Sequence, residues 1–205
     1  MDIMPGDRVL HLSMGDEAFG KADVFCGSFS KRQVANREYK PLSIESRKLP
    51  FQDKAFDYVY TSYFLQYIKY PQDLLAEIRR VGKRGHIKEH SEFSEQLFGW
   101  AEHLWVITIE NGELIVKEKN KERYERFGPY FHGLYQNDPV FFDYISQNVG
   151  LMNIAVDWYA EDGKTENGQL LFCPCQSDIF EKNRMVLGKI KKEISIEHLT
   201  SKGII

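Results

Sequence analysis

The side chains best suited to moving a proton near neutral pH are six histidines. His90 closes the run GHIKEH, and His103 stands in AEHLW, just ahead of a predicted hairpin. An imidazole held against a hydroxyl takes its proton, and its ordinary pKa near neutrality suits that task. Each histidine also has a plainer reading. His103 reads as a satisfied structural histidine under Trp105 and His11 as a packed residue inside the first strand, while His132, in PYFHGLY, is a lower-ranked candidate on a lid. Glu89, beside His90, offers a base or an orienting carboxylate, against a plainer role as a solvated strand-edge residue. Three cysteines, an odd number, make no disulfide framework, and Cys173-Pro174-Cys175 lacks the spacer and second ligand pair of a zinc knuckle.

The elements that must position these groups follow from the apolar pattern. DRVLHLS (7–13), KADVFCGSF (21–29), YKPLSIES (39–46) and FDYVYTSY (56–63) read as strands, the last being rich in Tyr and Val and alternating. PQDLLAEIRRV (71–81) places Leu74, Leu75, Ile78 and Val81 at helical spacing behind a Pro at its start, and GHIKEHSEF reads as the next strand. Strands alternating with helical stretches predict βαβ units and a mainly parallel sheet. LWVITIENGELIVKEK (104–119) is a hairpin turning at Asn111-Gly112, DPVFFDYISQNVG (138–150) is a helix, and 151–175 holds two strands around a turn. The mixed-sign run KEKNKERYER (117–126) reads as a solvated face.

Composition bounds the partners. The chain is 42% hydrophobic and 28% charged, the balance of a globular domain, and a net charge of −3 gives no global reason for a nucleic-acid partner. Apolar runs are far shorter than the roughly 20 residues a bilayer span needs, and the N-terminus lacks the pattern of a secretory signal. A cytoplasmic, single-domain protein with no membrane partner is expected. Its region 92–137 would be an inserted hairpin or lid, and the early first strand also suits one domain of a larger glycan-processing polypeptide.

The run LPFQDKAFDYVYTSYFLQYI followed by PQDLLAEIRRVGKRG resembles the fourth-strand region of class I S-adenosylmethionine-dependent methyltransferases of the type 11 kind, over about forty positions. The resemblance implies a Rossmann-like, mainly parallel seven-stranded sheet ending in an antiparallel hairpin, with S-adenosylmethionine across the carboxyl ends of the strands. It puts Leu12, Ser13, Met14 and Gly15 beside the methionine part of the cofactor, with Asp16 or Glu17 available to the ribose. Glu45 would lie near the adenine amino group, and Thr61, Ser62 and Tyr63 near the sulfonium and the acceptor. The first loop carries one glycine where the family has two or three, and no acidic residue closes the second strand. Related enzymes often carry a His-Trp pair in the inserted region, which makes His103 the first candidate base and His90 the second. Metal-dependent relatives hold magnesium with an Asp and Asn cluster, for which Asp57 stands too early, so no metal is expected. The implied activity is methyl transfer to a hydroxyl of a small molecule or glycan, with sugar O-methylation favoured by the aromatic insert Trp100, Trp105, Tyr124, Phe127, Tyr130, Phe131 and Tyr135. The alternative is a catalytically inactive binding or scaffold domain of the same fold.

Overall fold

The computed structural model of the chain describes residues 3–160 apart from 16, 17, 31, 35, 111 and 112. Strands β1 (Val9–Ser13), β2 (Val24–Gly27), β3 (Glu38–Pro41), β4 (Phe56–Ser62) and β5 (Gly82–His90) run parallel, and β8 (Asn153–Tyr159) pairs antiparallel with β5. Their order is β3-β2-β1-β4-β5-β8, a Rossmann-like arrangement. The chain reverses its direction of travel across the sheet between β1 and β4, and open α/β sheets hold ligands at such a switch point, beyond the carboxyl ends of the strands. Ser13 and Ser62 are register partners at that point.

Helix α1 (Pro71–Val81) forms as its spacing predicts. Pro71 sits in its first turn, and Leu74, Ile78 and Val81 pack on the sheet. With Leu10, Leu12, Val24, Val59, Phe64, Leu65, Ile87 and Trp158 they make the main core. The loop before β4 is clamped to this helix by Arg80 and Glu77. The Arg80 guanidinium donates to the Leu49 carbonyl at 3.2 Å, the Phe51 carbonyl at 2.8 Å, Asp53 at 2.7 Å and Glu77 at 2.6 Å. Glu77 in turn accepts the Leu49 N–H at 2.9 Å. The spacing of LPFQD and RRV in the sequence is thus the spacing of a loop and the helix that holds it.

Several expectations are corrected. Between β1, β2 and β3 the described residues contain no helix. The connectors, 14–23 and 28–37, are too short for the strand–helix–strand unit that the alternating pattern predicted. Loop side chains Ala18, Phe19, Phe29 and Val34 cover the second face of the sheet instead, packed with Val9, Phe25, Tyr58 and Tyr60. The predicted strand GHIKEHSEF ends at His90, because the Ser91 hydroxyl accepts the Ser94 N–H at 3.1 Å and starts helix α2 (Glu92–Phe98). Residues 138–150 form two helices, α5 (Pro139–Gln147) and α6 (Val149–Met152), separated at Asn148. The hairpin is present as β6 (Trp105–Glu110) and β7 (Glu113–Glu118), a sheet of its own. It is followed by α3 (Lys121–Tyr124) and α4 (Gly128–Asn137). Six strands of the main sheet fall among the described residues; the second strand expected within 151–175, Cys173, Cys175 and the tail lie outside them. No helix among the described residues is long and apolar enough to cross a membrane.

Candidate active site

At the carboxyl edge of the sheet the backbone is shaped for close approach. Gly15 takes φ +116, and a Cβ built there would meet only the Ser28 carbonyl oxygen, at 3.8 Å. Gly27 takes φ +136, and a Cβ there would lie 1.9 Å from the Ser13 carbonyl oxygen, so β1 and β2 close together only because this residue is glycine. Ser13, Thr61 and Ser62 are fully buried, and Met14 packs on the core. His11 is buried as expected but is also bonded. The Phe19 N–H donates to its Nδ1 at 3.2 Å, which leaves the proton on Nε2 to be donated to the Ser62 hydroxyl at 2.8 Å. Burial pushes its pKa down to about 3, in keeping with a neutral ring.

The end of β4 is set by a residue whose role was read differently from sequence. Glu89 is fully buried, and its carboxylate accepts the N–H groups of Phe64 and Leu65 at 3.0 to 3.2 Å. It therefore caps the turn after β4 and is no solvated edge residue. Tyr63, ahead of that turn, takes the left-handed conformation, φ +47, with its hydroxyl donating to Asn153 Oδ1 at 2.8 Å.

The structure brings His90 and His103 together. Their rings lie 5.4 Å apart. His90 is sandwiched between Tyr63 at 4.2 Å and Trp100 at 4.1 Å, and His103 touches Trp100 and the edge of Tyr67. Burial, with His103 and Lys88 close by, pushes the His90 pKa down to about 3, and its buried Nδ1 has no hydrogen-bond partner among the described residues. His103 is fully buried; its Nδ1 is bonded to Glu95 of α2, and its Nε2 has no hydrogen-bond partner among the described residues. Trp105, expected above His103, instead donates its indole N–H to the Ile68 carbonyl at 2.7 Å, and Trp100 takes the place beside the imidazole. His132 lies on the outer side of the stack, 6.0 Å from Trp100 and 5.0 Å from Phe98.

Sequence reasoning missed Glu95, Gln66 and Lys119. Gln66 accepts the His90 N–H at 3.0 Å and reaches toward Glu95 at 3.4 Å. Lys119, inside the charge run read as solvated, is buried, with its ammonium 3.1 Å from Glu95, 3.5 Å from Glu125 and bonded to the Trp100 carbonyl at 2.5 Å. The signal for Glu95 was Phe93 and Leu97 at helical spacing behind Ser91. For Lys119 the sequence holds none, since only its neighbours in space distinguish it from the charges beside it.

Toward S-adenosylmethionine this edge offers Gly15, which leaves room for a close backbone approach, and the polar side chains of Ser13, Thr61 and Ser62, all buried. At the ribose end β2 closes in Gly27, Ser28 and Phe29, so no carboxylate stands there among the described residues; Asp16 and Glu17 lie outside them. Glu45 is two-thirds exposed and paired with Lys69 at 3.4 Å. Asp57 is structural. The Arg8 N–H and the Lys83 ammonium hold its carboxyl below the usual range, and it lies at the opening end of β4. Among the described residues no three His, Cys, Asp or Glu side chains come together as a metal site.

Residues 10–87 match a family model described as a methyltransferase domain. That segment runs from within β1 into β5 and takes in α1 and the clamped LPFQD loop, and over it the chain is similar to methyltransferase domains. No curated protein matches the chain. Among solved structures, the complex between the Haloferax volcanii Trm112 methyltransferase activator and its candidate methyltransferase aligns at 14% identity over 81% of this chain and 87% of the other, with a TM-score of 0.48. An S-adenosylmethionine-dependent methyltransferase from Mesorhizobium loti aligns at 11% identity over 74% and 90%, TM-score 0.41. One from Thermotoga maritima aligns at 16% identity over 43% of this chain and 47% of its own, TM-score 0.34, so the chain spans about half the length of that relative. At these values the likenesses bear on none of the residue assignments.

Proposed function

We propose that the chain is an S-adenosylmethionine-dependent methyltransferase acting on a hydroxyl of a small molecule or glycan, with His103 as general base. The observation that carries this reading is the His103 ring itself, held by a carboxylate at Nδ1 and bare at a buried Nε2, one ring away from Tyr63 at the end of β4. A buried imidazole nitrogen without a partner costs about 1–3 kcal/mol, which a site recovers when a ligand supplies the missing hydrogen bond.

Bound, S-adenosylmethionine supplies a methyl group on a sulfonium, whose carbon–sulfur bond breaks with its electron pair returning to sulfur. The chain's own residues supply the rest. Leu12 to Gly15 approach the cofactor by backbone, Asp16 and Glu45 serve its polar groups, and Thr61 to Tyr63 flank the reacting centre. His103 Nε2 takes the proton of the acceptor hydroxyl as its oxygen forms the new bond to carbon. His90, neutral and stacked, shapes the wall beside it. A sugar acceptor is favoured by the aromatic content of this region, where Trp100, His132 and Tyr135 gather around Phe98 beside His90, since aromatic faces suit stacking against a pyranose. The region 92–137 serves as the lid that carries this selectivity.

Titration with S-adenosylhomocysteine is expected to raise the melting temperature, and a methyl-labelled donor should transfer label to a member of a sugar and phenol panel. His103→Ala should lower that transfer roughly 100-fold or more. That no ribose carboxylate stands at the end of β2 among the described residues favours a second reading, a methyltransferase-like domain without catalysis. Binding without transfer, unchanged by His103→Ala, would favour it, and no binding at millimolar ligand would sink the methyltransferase reading.

A further inference from the structure

We infer that Glu95 is the positioning residue of His103, and that Lys119 keeps it in that role. This rests on His103 being the base. The groups around the imidazole and its carboxylate partner come from five directions. Glu95 comes from α2, His90 from the end of β5, Tyr67 and Gln66 from the turn after β4, Trp100 from the loop after α2, and Lys119 with Glu125 from the segment after β7. Glu95 offers one oxygen to His103 Nδ1 and to the Gln66 amide, and the other to Lys119. Glu95 and the Lys119 side chain are both fully buried.

An ionised carboxylate accepts and does not donate, so the nitrogen it faces carries the hydrogen. Nδ1 is therefore the protonated nitrogen of neutral His103, and the lone pair is left on Nε2, the nitrogen without a partner. A ring held in the opposite tautomer would have no lone pair there with which to take a proton. The carboxylate also stabilises the imidazolium formed when Nε2 takes the acceptor's hydrogen, with the charge shared between Nδ1–H and Glu95. Lys119 has a separate task. A buried carboxylate needs an opposite charge beside it, and the ammonium 3.1 Å from the second oxygen of Glu95 supplies one. Gln66 ties the arrangement to the backbone of His90, so the base moves with the end of β5.

The test uses the full chain with its histidines labelled with nitrogen-15. In the parent, the His103 signals should report hydrogen on Nδ1 and a bare Nε2 near neutral pH. Glu95→Gln leaves Lys119 buried without its partner and is liable to misfold, so the variant to build alongside it is Glu95→Gln with Lys119→Met, which removes both charges together. In that variant the Nδ1–H tautomer should give way to a mixture. The acceptor KM in the transfer assay should stay within about threefold, while kcat falls roughly 100-fold. Glu95→Asp, which keeps the charge, should recover part of the lost kcat. A parent carrying its hydrogen on Nε2, or a double variant with unchanged tautomer and unchanged kcat, overturns the inference. Full transfer by His103→Ala would instead overturn the reading of His103 as base, while the tautomer measurement still stands on its own.

Discussion

At the residue scale, the histidines separate by environment more than by position. His11 and His90 are both pushed down to about 3 by burial, while an unfolded chain titrates such rings near 6.5. The unfolded state therefore binds more protons between those values, and stability falls as the pH drops from about 6.5, levelling off below about 3. Each ring contributes on the order of a few kcal/mol to this loss. Asp57 and Glu77, held low by the Arg8 N–H and by Arg80 respectively, lose their contribution further down, as pH falls through the carboxylate range. His90→Phe keeps the stack between Tyr63 and Trp100 but removes one titrating ring. Its melting temperature should therefore fall less steeply than the parent's between pH 6.5 and 4, and an equal slope would show that His90 is not the titrating group. Cys26, with burial pushing its thiol up to about 12, should resist alkylating reagents in the folded chain.

At the element scale, the structure depends on two close fits. Arg80 joins loop and helix through two backbone carbonyls and two carboxylates, and Glu77 beneath it is mostly buried. Arg80→Met leaves that carboxylate and the Leu49 carbonyl short of a partner. It should cost about 2–3 kcal/mol in urea unfolding, less than a fully buried pair because the guanidinium is partly solvated. Glu77→Gln, which keeps a hydrogen-bonding side chain, should cost less. The second fit is at Gly27, where any side chain strikes the β1 backbone and the φ is one that L residues rarely adopt. Gly27→Ala should lower the melting temperature by roughly 10 °C or more, and should weaken S-adenosylhomocysteine binding because Ser13 cannot keep its place. Gly15→Ala is the contrast, since nothing but a carbonyl at 3.8 Å stands in the way and only the backbone conformation resists.

At the scale of the whole molecule, the legible parts were those with a local signature. β4, α1 and the hairpin β6–β7 follow from alternation, helical spacing and a turn dipeptide. The switch point follows from the strand order that these elements impose. His90 and His103 were both legible as candidates, because imidazoles at strand ends are few. What was not legible depended on distant neighbours. Glu89 looks like any strand carboxylate until the turn after β4 folds over it, and Lys119 looks like one charge among many until Glu95 is placed beside it. That the described residues hold no helix between β1, β2 and β3 follows from connector length, which the expectation of alternating elements overrode.

Those short connectors bear on the order in which the sheet assembles. Parallel strands normally wait on a long crossover, yet Leu10 pairs with Val24 and Val24 with Glu38, 14 residues apart in each case, whereas Val9 meets Tyr58 across 49. Loop closure is least costly for the nearest pairs, so β1, β2 and β3 are expected to zip first and to present a template edge to β4. In stopped-flow refolding, Leu10→Ala and Val24→Ala should mainly slow folding, and Val156→Ala in β8 should mainly hasten unfolding. The nascent chain would then complete the floor beneath its first loop before His103 and Glu95 have been synthesised.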